Sequence, residues 1–388
     1  MRAIGILELT ESHENKLLTT SRMADTEEND VTVFTTEATY ESVAPDLQAD
    51  RTAVEWQLHD RDEDESLDSY LNRVERYCSE HIDFLMIQTV DTSLRGLVRY
   101  LRFDPDCVTM LWVYNLASWF APGTIREPYP YVSKKLRRRL IRRHDYVNVQ
   151  YPPLREYIAT LSPDVKVTSV VPVTFDPAQA NKERDDELLL TVPGSIEEKR
   201  RDYSLVLDAF KSSFDPSDQV RLCLLGKPKG EYGEEILGGC SELEDDGYHV
   251  QTFSDRVPVA AYNGTLADSD VLLSPLRETI EKPVSQERYG VTKDSGNVWD
   301  ALTTATPIVL PHYYKLASFI ESSAQQFDDA AAFEELLAEF YTDRDSLGEL
   351  QDNARANANE LTLEKQRDRY DELVSAVLDG QQPNIWYD

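Results

Sequence analysis

The 388-residue sequence predicts an α/β protein of two successive domains, each a parallel sheet covered by helices. Three observations lead there. The chain exceeds what one hydrophobic core usually serves, and 41% hydrophobic residues are enough to fill two. Short apolar, β-branched runs alternate with stretches of helical periodicity, the pattern of strands joined by covering helices. The alternation breaks once, around Val173–Asp186, and then restarts. Two such halves imply two Rossmann-like domains facing a cleft.

In the first half the pattern predicts strands at Ala3–Leu9, Val31–Thr36, Ile82–Thr89, Val108–Leu116, Tyr146–Val149 and Val165–Val171. Helical periodicity fills His13–Ala24, Leu67–Glu80, Ser93–Leu101 and Ser133–Arg143. Thr174-Phe175-Asp176-Pro177 then leads into the polar run Asn181-Lys182-Glu183-Arg184-Asp185-Asp186, which reads as a linker. The domain boundaries follow at 1–174 and 187–361. In the second half strands are predicted at Glu187–Val192, Val220–Leu225, Val250–Phe253, Val271–Leu273 and Pro307–Leu310. Helices are predicted at Tyr203–Lys211, Val257–Leu266, Ser295–Leu302 and Ala331–Phe340. A last helical pattern, Thr362–Leu378, gathers Leu363, Tyr370, Leu373, Val374 and Val377 roughly on one face, and the tail Gln382–Asp388 follows with Trp386 and Tyr387.

Charge narrows the function. Seventy-one Asp and Glu against 40 Lys and Arg leave a formal charge of −31. Such an excess repels itself, but the Debye length falls from about 10 Å in 0.1 M salt to about 3 Å in 1 M salt. A structured chain of this kind is expected to be adapted to high internal salt. The rival, an acidic tail for a basic partner, needs a block of like charge, and only Asp60 to Glu65 approaches one. The same sign disfavours nucleic acid. Cys78, Cys107, Cys223 and Cys240 form no CxxC pair and have no close His partners, so no zinc or other metal site is expected, and they read as free thiols of a reducing cytosol. The apolar run after Met1 meets Glu8 too early for a signal peptide, and no stretch of about 18 apolar residues spans a membrane. A cytoplasmic protein is expected.

The most informative segment begins where the strand Val271–Leu273 ends. A polar loop runs to Glu287-Arg288-Tyr289-Gly290-Val291-Thr292-Lys293-Asp294-Ser295-Gly296, and Asn297–Leu302 opens a helix. Ser295 or Asp294 suits the N-cap, and Gly296 lets a ligand approach the first turn. The free amides and positive dipole end of such a helix form a pyrophosphate site, to which Lys293 adds a point charge. The plainer reading is a loop that merely caps a helix well.

Glu287-x-Tyr289-Gly290-x-x-x-x-Ser295-Gly296, followed by Ala301–Pro311, resembles the donor loop, helix and next strand of GT-B glycosyltransferases, particularly those similar to glycosyltransferase family 4. By that resemblance Glu287 sits at the donor sugar and is the catalytic candidate. Thr191–Ile196, followed by Lys199, Arg200 and Arg201, resembles the loop opening the donor domain, where Gly194 admits phosphate to the backbone amides and one of the three cations neutralises it. Read alone, the same residues are a strand-to-helix turn with a solvated basic face. Gly226-Lys227-Pro228-Lys229-Gly230 is similar to the family's second glycine-containing strand end, with Lys227 as a diphosphate contact. Phe253–Pro258 resembles the loop whose backbone, at Arg256 and Val257, reads the nucleobase. Each of these loops follows the carboxyl end of a predicted strand, where open α/β sheets bind ligands.

The amino-terminal half matches less specifically. Leu9–Glu14 stands where relatives carry a glycine-rich loop facing the acceptor, and His13 is either a substrate contact or an ordinary helix-start histidine. Trp112–Trp119 follows the fourth strand, where an active-site wall is expected; Tyr114 replaces a His often found before the Asn, here Asn115, and Trp119 either stacks on a sugar or packs in the core. Lys134–Arg143 holds seven cations in ten residues, spaced around Leu136, Leu140 and Ile141. Lys134, Lys135, Arg138, Arg139 and Arg142 either meet an anionic bilayer, at about 1 kcal/mol per cation, or pair with the acidic surface.

The resemblance thus implies a GT-B protein whose final helix, about 362–388, returns to the first domain. It implies sugar transfer from a nucleotide-diphosphate sugar to a glycan or lipid-linked acceptor, retaining and metal-independent, with no cofactor beyond the co-substrate; of the two readings of the basic helix, the bilayer one would add peripheral contact at the inner membrane face. The chain departs from the family at Ser295, where relatives place a second Glu on the ribose. That departure supports the alternative, a GT-B sugar-nucleotide binder or partner subunit without transferase activity. Nucleotide-sugar epimerisation on the same fold has no specific signature here.

Overall fold

The computed structural model describes residues 1–10, 13–59, 65–179 and 187–383. The chain forms two compact units, one of Met1–Thr174, Lys282–Glu287 and Leu363–Asp388, the other of Phe175–Glu281 and Arg288–Thr362. The core of the predicted linker, Asn181–Asp186, lies outside the described residues, as do Asp60–Asp64 of the acidic run and Trp386 and Tyr387 of the tail.

The first unit is built on seven strands: β1 (Arg2–Glu8), β2 (Asn29–Thr36), β3 (Glu55–His59), β4 (Phe84–Ile87), β5 (Val108–Trp112), β6 (Tyr146–Asn148) and β7 (Val167–Thr168). Their order is β3-β2-β1-β4-β5-β6-β7, parallel throughout. Both sheet faces are covered, which is why Ile4–Leu7 and Phe84–Ile87 read as unbroken apolar runs and are buried. The helices are α1 (Glu14–Ala24), α2 (Glu37–Ala49), α3 (Leu67–His81), α4 (Leu94–Tyr100), α5 (Leu116–Phe120), α6 (Pro128–Ile141) and α7 (Arg155–Leu161). Thr36, Ser66 and Ser93 start α2, α3 and α4 by accepting from the amides of Thr39, Ser69 and Gly96. Four elements have no counterpart in the sequence pattern: β3, a partly exposed edge strand; α2, which carries Pro45 in its interior; and the short helices α5 and α7. The predicted strand Val108–Leu116 ends at Trp112, because Asn115 takes a left-handed conformation (φ 54°, ψ 63°) and Leu116 begins α5. The strand expected at Val165–Val171 shrinks to its two residues of β7.

The second unit has a six-stranded parallel sheet in the order β10-β9-β8-β11-β14-β15. Its strands are β8 (Leu188–Pro193), β9 (Val220–Leu225), β10 (His249–Gln251), β11 (Val271–Leu273), β14 (Ile308–Pro311) and β15 (Ala324–Phe327), with β12 (Thr279–Glu281) and β13 (Gln286–Arg288) pairing as a separate ribbon. The helices are α8 (Tyr203–Ser213), α9 (Gly230–Asp245), α10 (Val259–Asp268), α11 (Gly296–Thr304), α12 (Ser318–Glu321), α13 (Ala330–Thr342) and α14 (Arg344–Asn359). Four glycines in α9 and the polar composition of α14 and β15 hide those elements from pattern reading.

The final helix, α15 (Leu363–Leu378), belongs to the first unit, where Tyr370, Leu373, Val374 and Val377 pack with Ile4, Ile6 and Met86. Gln366 Nε2 donates to the carbonyls of Val171 (2.9 Å) and Val173 (2.8 Å), fixing its start. All four cysteines are free thiols. Among the described residues no helix is long and apolar enough to cross a membrane.

Candidate functional site

Each sheet reverses its strand order once, and ligands of open α/β sheets bind beyond the carboxyl ends of the strands at that point. In the second unit the reversal lies between β8 and β11. Gly194 follows β8 with φ +99°, a conformation that favours glycine. A Cβ there would lie 2.8 Å from Arg201 Nη2, and a Cβ on Gly226, after β9, would lie 2.1 Å from the Gly194 carbonyl oxygen. Tyr203 clamps the turn by donating its hydroxyl to the Gly194 carbonyl (2.8 Å). The Ile196 amide donates to the Lys227 carbonyl (3.0 Å), so the two loops run side by side.

Arg201 lies across this floor, only 7% exposed. Its Nη2 donates to Asn297 Oδ1 (2.7 Å), and Asn297 Nδ2 donates to Ser274 Oγ at the end of β11 (3.0 Å). Ser295 caps α11 by accepting from the Asn297 amide, and beside Gly296 the space is open. Gly194, Arg201, Ser274, Ser295 and Asn297 are therefore one cluster at a helix N-terminus. No described carboxylate pairs with Arg201, and its buried Nε has no partner. Asp300 feels its charge from further off; burial pushes that carboxyl up to about 6, against the pull of the Tyr262 hydroxyl and Arg201.

The other expected donor contacts divide. Lys199 and Arg200 do not enter the cluster: they pair with Glu197 at 2.7 and 3.0 Å, and Arg201, third of the three cations, is the buried one. Burial raises the Glu197 carboxyl, but Lys199, Arg200 and Lys229 outweigh it and hold it below its ordinary value. Lys227 is half-exposed, 3.8 Å from Asp255. Val257 is buried, whereas Arg256 is exposed. Tyr289 is buried within reach of the charges of Arg200 and Arg201; Gly290, at φ +75°, passes so close to Lys315 that a Cβ would meet its amide at 2.5 Å. Lys293 turns toward the Tyr289 ring, 6.0 Å from its centroid. Asn297 and Ser274 are residues to which motif reading gave no ligand role; Arg201 was one of three candidate cations after Gly194, with nothing in the sequence to single it out.

In the first unit the structure places Glu287, expected at the donor sugar, against the start of α5. It is 0% exposed, and its carboxylate accepts from the amides of Ala117 (2.9 Å) and Ser118 (2.9 Å) and from the Ser118 hydroxyl (2.7 Å). Asn115, in the left-handed region, cannot cap α5, so Glu287 supplies the cap from a distant segment. It is an anchor.

Asn115 and Trp119 line a cavity of about 420 Å³ with Trp112, Tyr114, Tyr129 and Arg137. At the strand-order reversal between β1 and β4, Thr89 donates its hydroxyl to buried Glu8 (2.7 Å) and lies 2.7 Å from His13 Nδ1. With its proton given to Glu8, the Thr89 hydroxyl keeps lone pairs for the His13 ring. The His13 ring stacks at a tilt on Tyr114, 5.4 Å between centroids.

Helix α6 sorts its cations by face. Lys134 is 7% exposed, with Nζ 3.2 Å from Ser285 Oγ, and Arg138 donates to the Phe120 carbonyl (2.8 Å). Neither is available to a bilayer, because the helix turns both toward the body of the unit. Lys135, Arg139 and Arg142 are exposed.

A scan against protein-family models finds no match, and neither does a search of curated proteins. Among solved structures the chain is similar to HepE of Anabaena in complex with UDP and glucose (TM-score 0.63, 13% identity, 97% of this chain and 100% of that one). It is similar to a glycosyltransferase from Rickettsia africae (TM-score 0.64, 10% identity, 97% and 98%). A UDP-GlcNAc 2-epimerase from Neisseria meningitidis bound to UDP-GlcNAc also matches (TM-score 0.54, 9% identity, 97% and 100%). Two parallel-sheet α/β units with these neighbours define the class: the chain has the GT-B fold.

Proposed function

We propose that this chain transfers a sugar from a nucleotide-diphosphate sugar to a glycan or lipid-linked acceptor, holding the donor on its second unit and the acceptor on its first. One observation carries the reading: Arg201 is buried without a counter-ion beneath a glycine turn and a helix N-terminus. A buried guanidinium without an anion is costly, and a diphosphate supplies the missing charge. As the nucleotide leaves, its developing charge is met by Arg201, Lys227 and the α11 amides, which favours departure without a metal. Retention of anomeric configuration is read from the product by NMR; an inverted product assigns the acceptor's proton to His13.

The acidic composition fits work in molar salt inside the cell, and Lys135, Arg139 and Arg142 on the exposed side of α6 fit contact with an anionic bilayer, tested by sedimentation with anionic vesicles. A second reading, a sugar-nucleotide binder without turnover, draws on the Glu287 carboxylate, engaged at α5, and on Ser295, engaged as a cap.

Thermal-shift screening of nucleotide-sugars in molar KCl, followed by donor turnover, tests these readings. Arg201→Gln is expected to weaken the selected nucleotide roughly 10- to 100-fold, the weight of about 1.5–3 kcal/mol for a hydrogen bond to a charged group. Undiminished nucleotide affinity in that variant sinks the donor site; tight binding without turnover on any acceptor selects the binder.

A further inference from the structure

The cavity of the first unit contains a second guanidinium without a counter-ion. Arg137 on α6 is 5% exposed and lines the cavity wall. Its Nε donates to Ser133 Oγ (3.2 Å), while its two terminal nitrogens make no hydrogen bond or ion pair with a described residue. The carboxylate whose charge it feels, Glu287, is engaged at the start of α5. Lys135 and Arg139 on the same helix reach solvent, and Lys134, buried like Arg137, has its Nζ 3.2 Å from Ser285 Oγ.

The cavity wall holds further buried polar atoms. Trp112 Nε1 and Asn115 Oδ1 are buried without partners, and both residues line the cavity. Asn115 holds its side chain there from a left-handed backbone, φ 54°, a conformation that persists only where the surroundings impose it. The Arg137 guanidinium carbon lies over the Trp119 ring, 5.2 Å from its centroid, and Tyr129 adds an exposed aromatic ring to the wall. At about 420 Å³ the cavity falls in the range of ligand pockets, roughly 300–1,000 Å³.

Each group selects a piece of ligand. An aromatic face stacks on the C–H face of a pyranose, and a guanidinium fork takes an oxyanion through two parallel bonds. We propose that the acceptor bound in this cavity is a sugar bearing an oxyanion, a carboxylate or a phosphate, which Arg137 holds. The inference rests on the transferase reading for the word acceptor, but the binding it asserts is measured without turnover.

Calorimetric titration of the full chain at fixed ionic strength, with glucuronate, glucose 6-phosphate and glucose, tests it. At least one anionic sugar is expected to bind ten times more tightly than glucose, and the one that does so separates carboxylate from phosphate. Arg137→Gln is expected to bring that ratio near one. Arg137→Lys, which keeps charge and bulk but not the fork, is expected to lower the ratio several-fold, and serves if the glutamine variant does not fold. Glucose binding as tightly as both anions, or either variant keeping the full preference, overturns the proposal. A parallel UDP titration keeps the two readings apart: absence of UDP binding counts against the donor site and leaves the cavity result standing.

Discussion

Buried charge is where single residues of this protein say most. Arg201 and Glu287 are both nearly inaccessible, yet one lacks an opposite charge and the other has every donor it can use. In the reading proposed above, the first awaits a ligand and the second holds structure. Glu287→Gln keeps size and one acceptor oxygen but turns an amide toward the donors of Ala117 and Ser118. We predict a loss of about 1–3 kcal/mol, the cost of a buried donor left unpaired, seen as a lower unfolding midpoint. Turnover lost at an unchanged midpoint would return Glu287 to catalysis.

At the scale of elements, the donor cluster depends on how closely two strand ends approach. The β8 and β9 loops touch backbone to backbone because Gly226 has no side chain. Gly226→Ala places a methyl on the Gly194 carbonyl, which neither loop can yield without moving the amides over Arg201. We predict about 1–3 kcal/mol of destabilisation from overpacking and at least tenfold weaker nucleotide binding, both read from one thermal-shift titration. A fully active alanine variant would show that the turn is not part of the site. Helix α5 makes a related point. It is five residues long and capped from position 287, so the aromatic cavity wall is set by a segment far away in sequence.

For the whole molecule the dominant fact is a formal charge of −31. Ion pairs such as Arg99–Asp68 and Lys211–Asp246 offset a little of it at the surface, where each is worth about 0–1 kcal/mol. The remaining carboxylates repel one another across distances that molar salt screens and dilute salt does not. The unfolding midpoint is therefore predicted to climb as KCl rises from dilute to molar, by about 2–4 °C for each kcal/mol of repulsion removed. A flat curve would remove the case for salt adaptation.

The alternation of strands and helices was legible because buried parallel strands must be apolar along their length and covering helices on one face; that logic marks Val220–Leu225 and Val271–Leu273 to the residue. The loops that would meet a diphosphate were legible by resemblance, and Gly194 and Gly226 stand at strand ends where only glycine permits the approach. Elements with weak periodicity were not: β15 is largely polar, and α2 tolerates a proline. Sequence alone thus determined the two-unit α/β architecture, because it follows from local pattern, whereas the donor loops were expected from resemblance to GT-B glycosyltransferases. Tertiary structure alone decided which of Lys199, Arg200 and Arg201 is buried, that Glu287 caps a distant helix, and that Arg137 faces a cavity. Burial and charge pairing are properties of residues far apart in the chain, and no local pattern encodes whether a charge will find its partner.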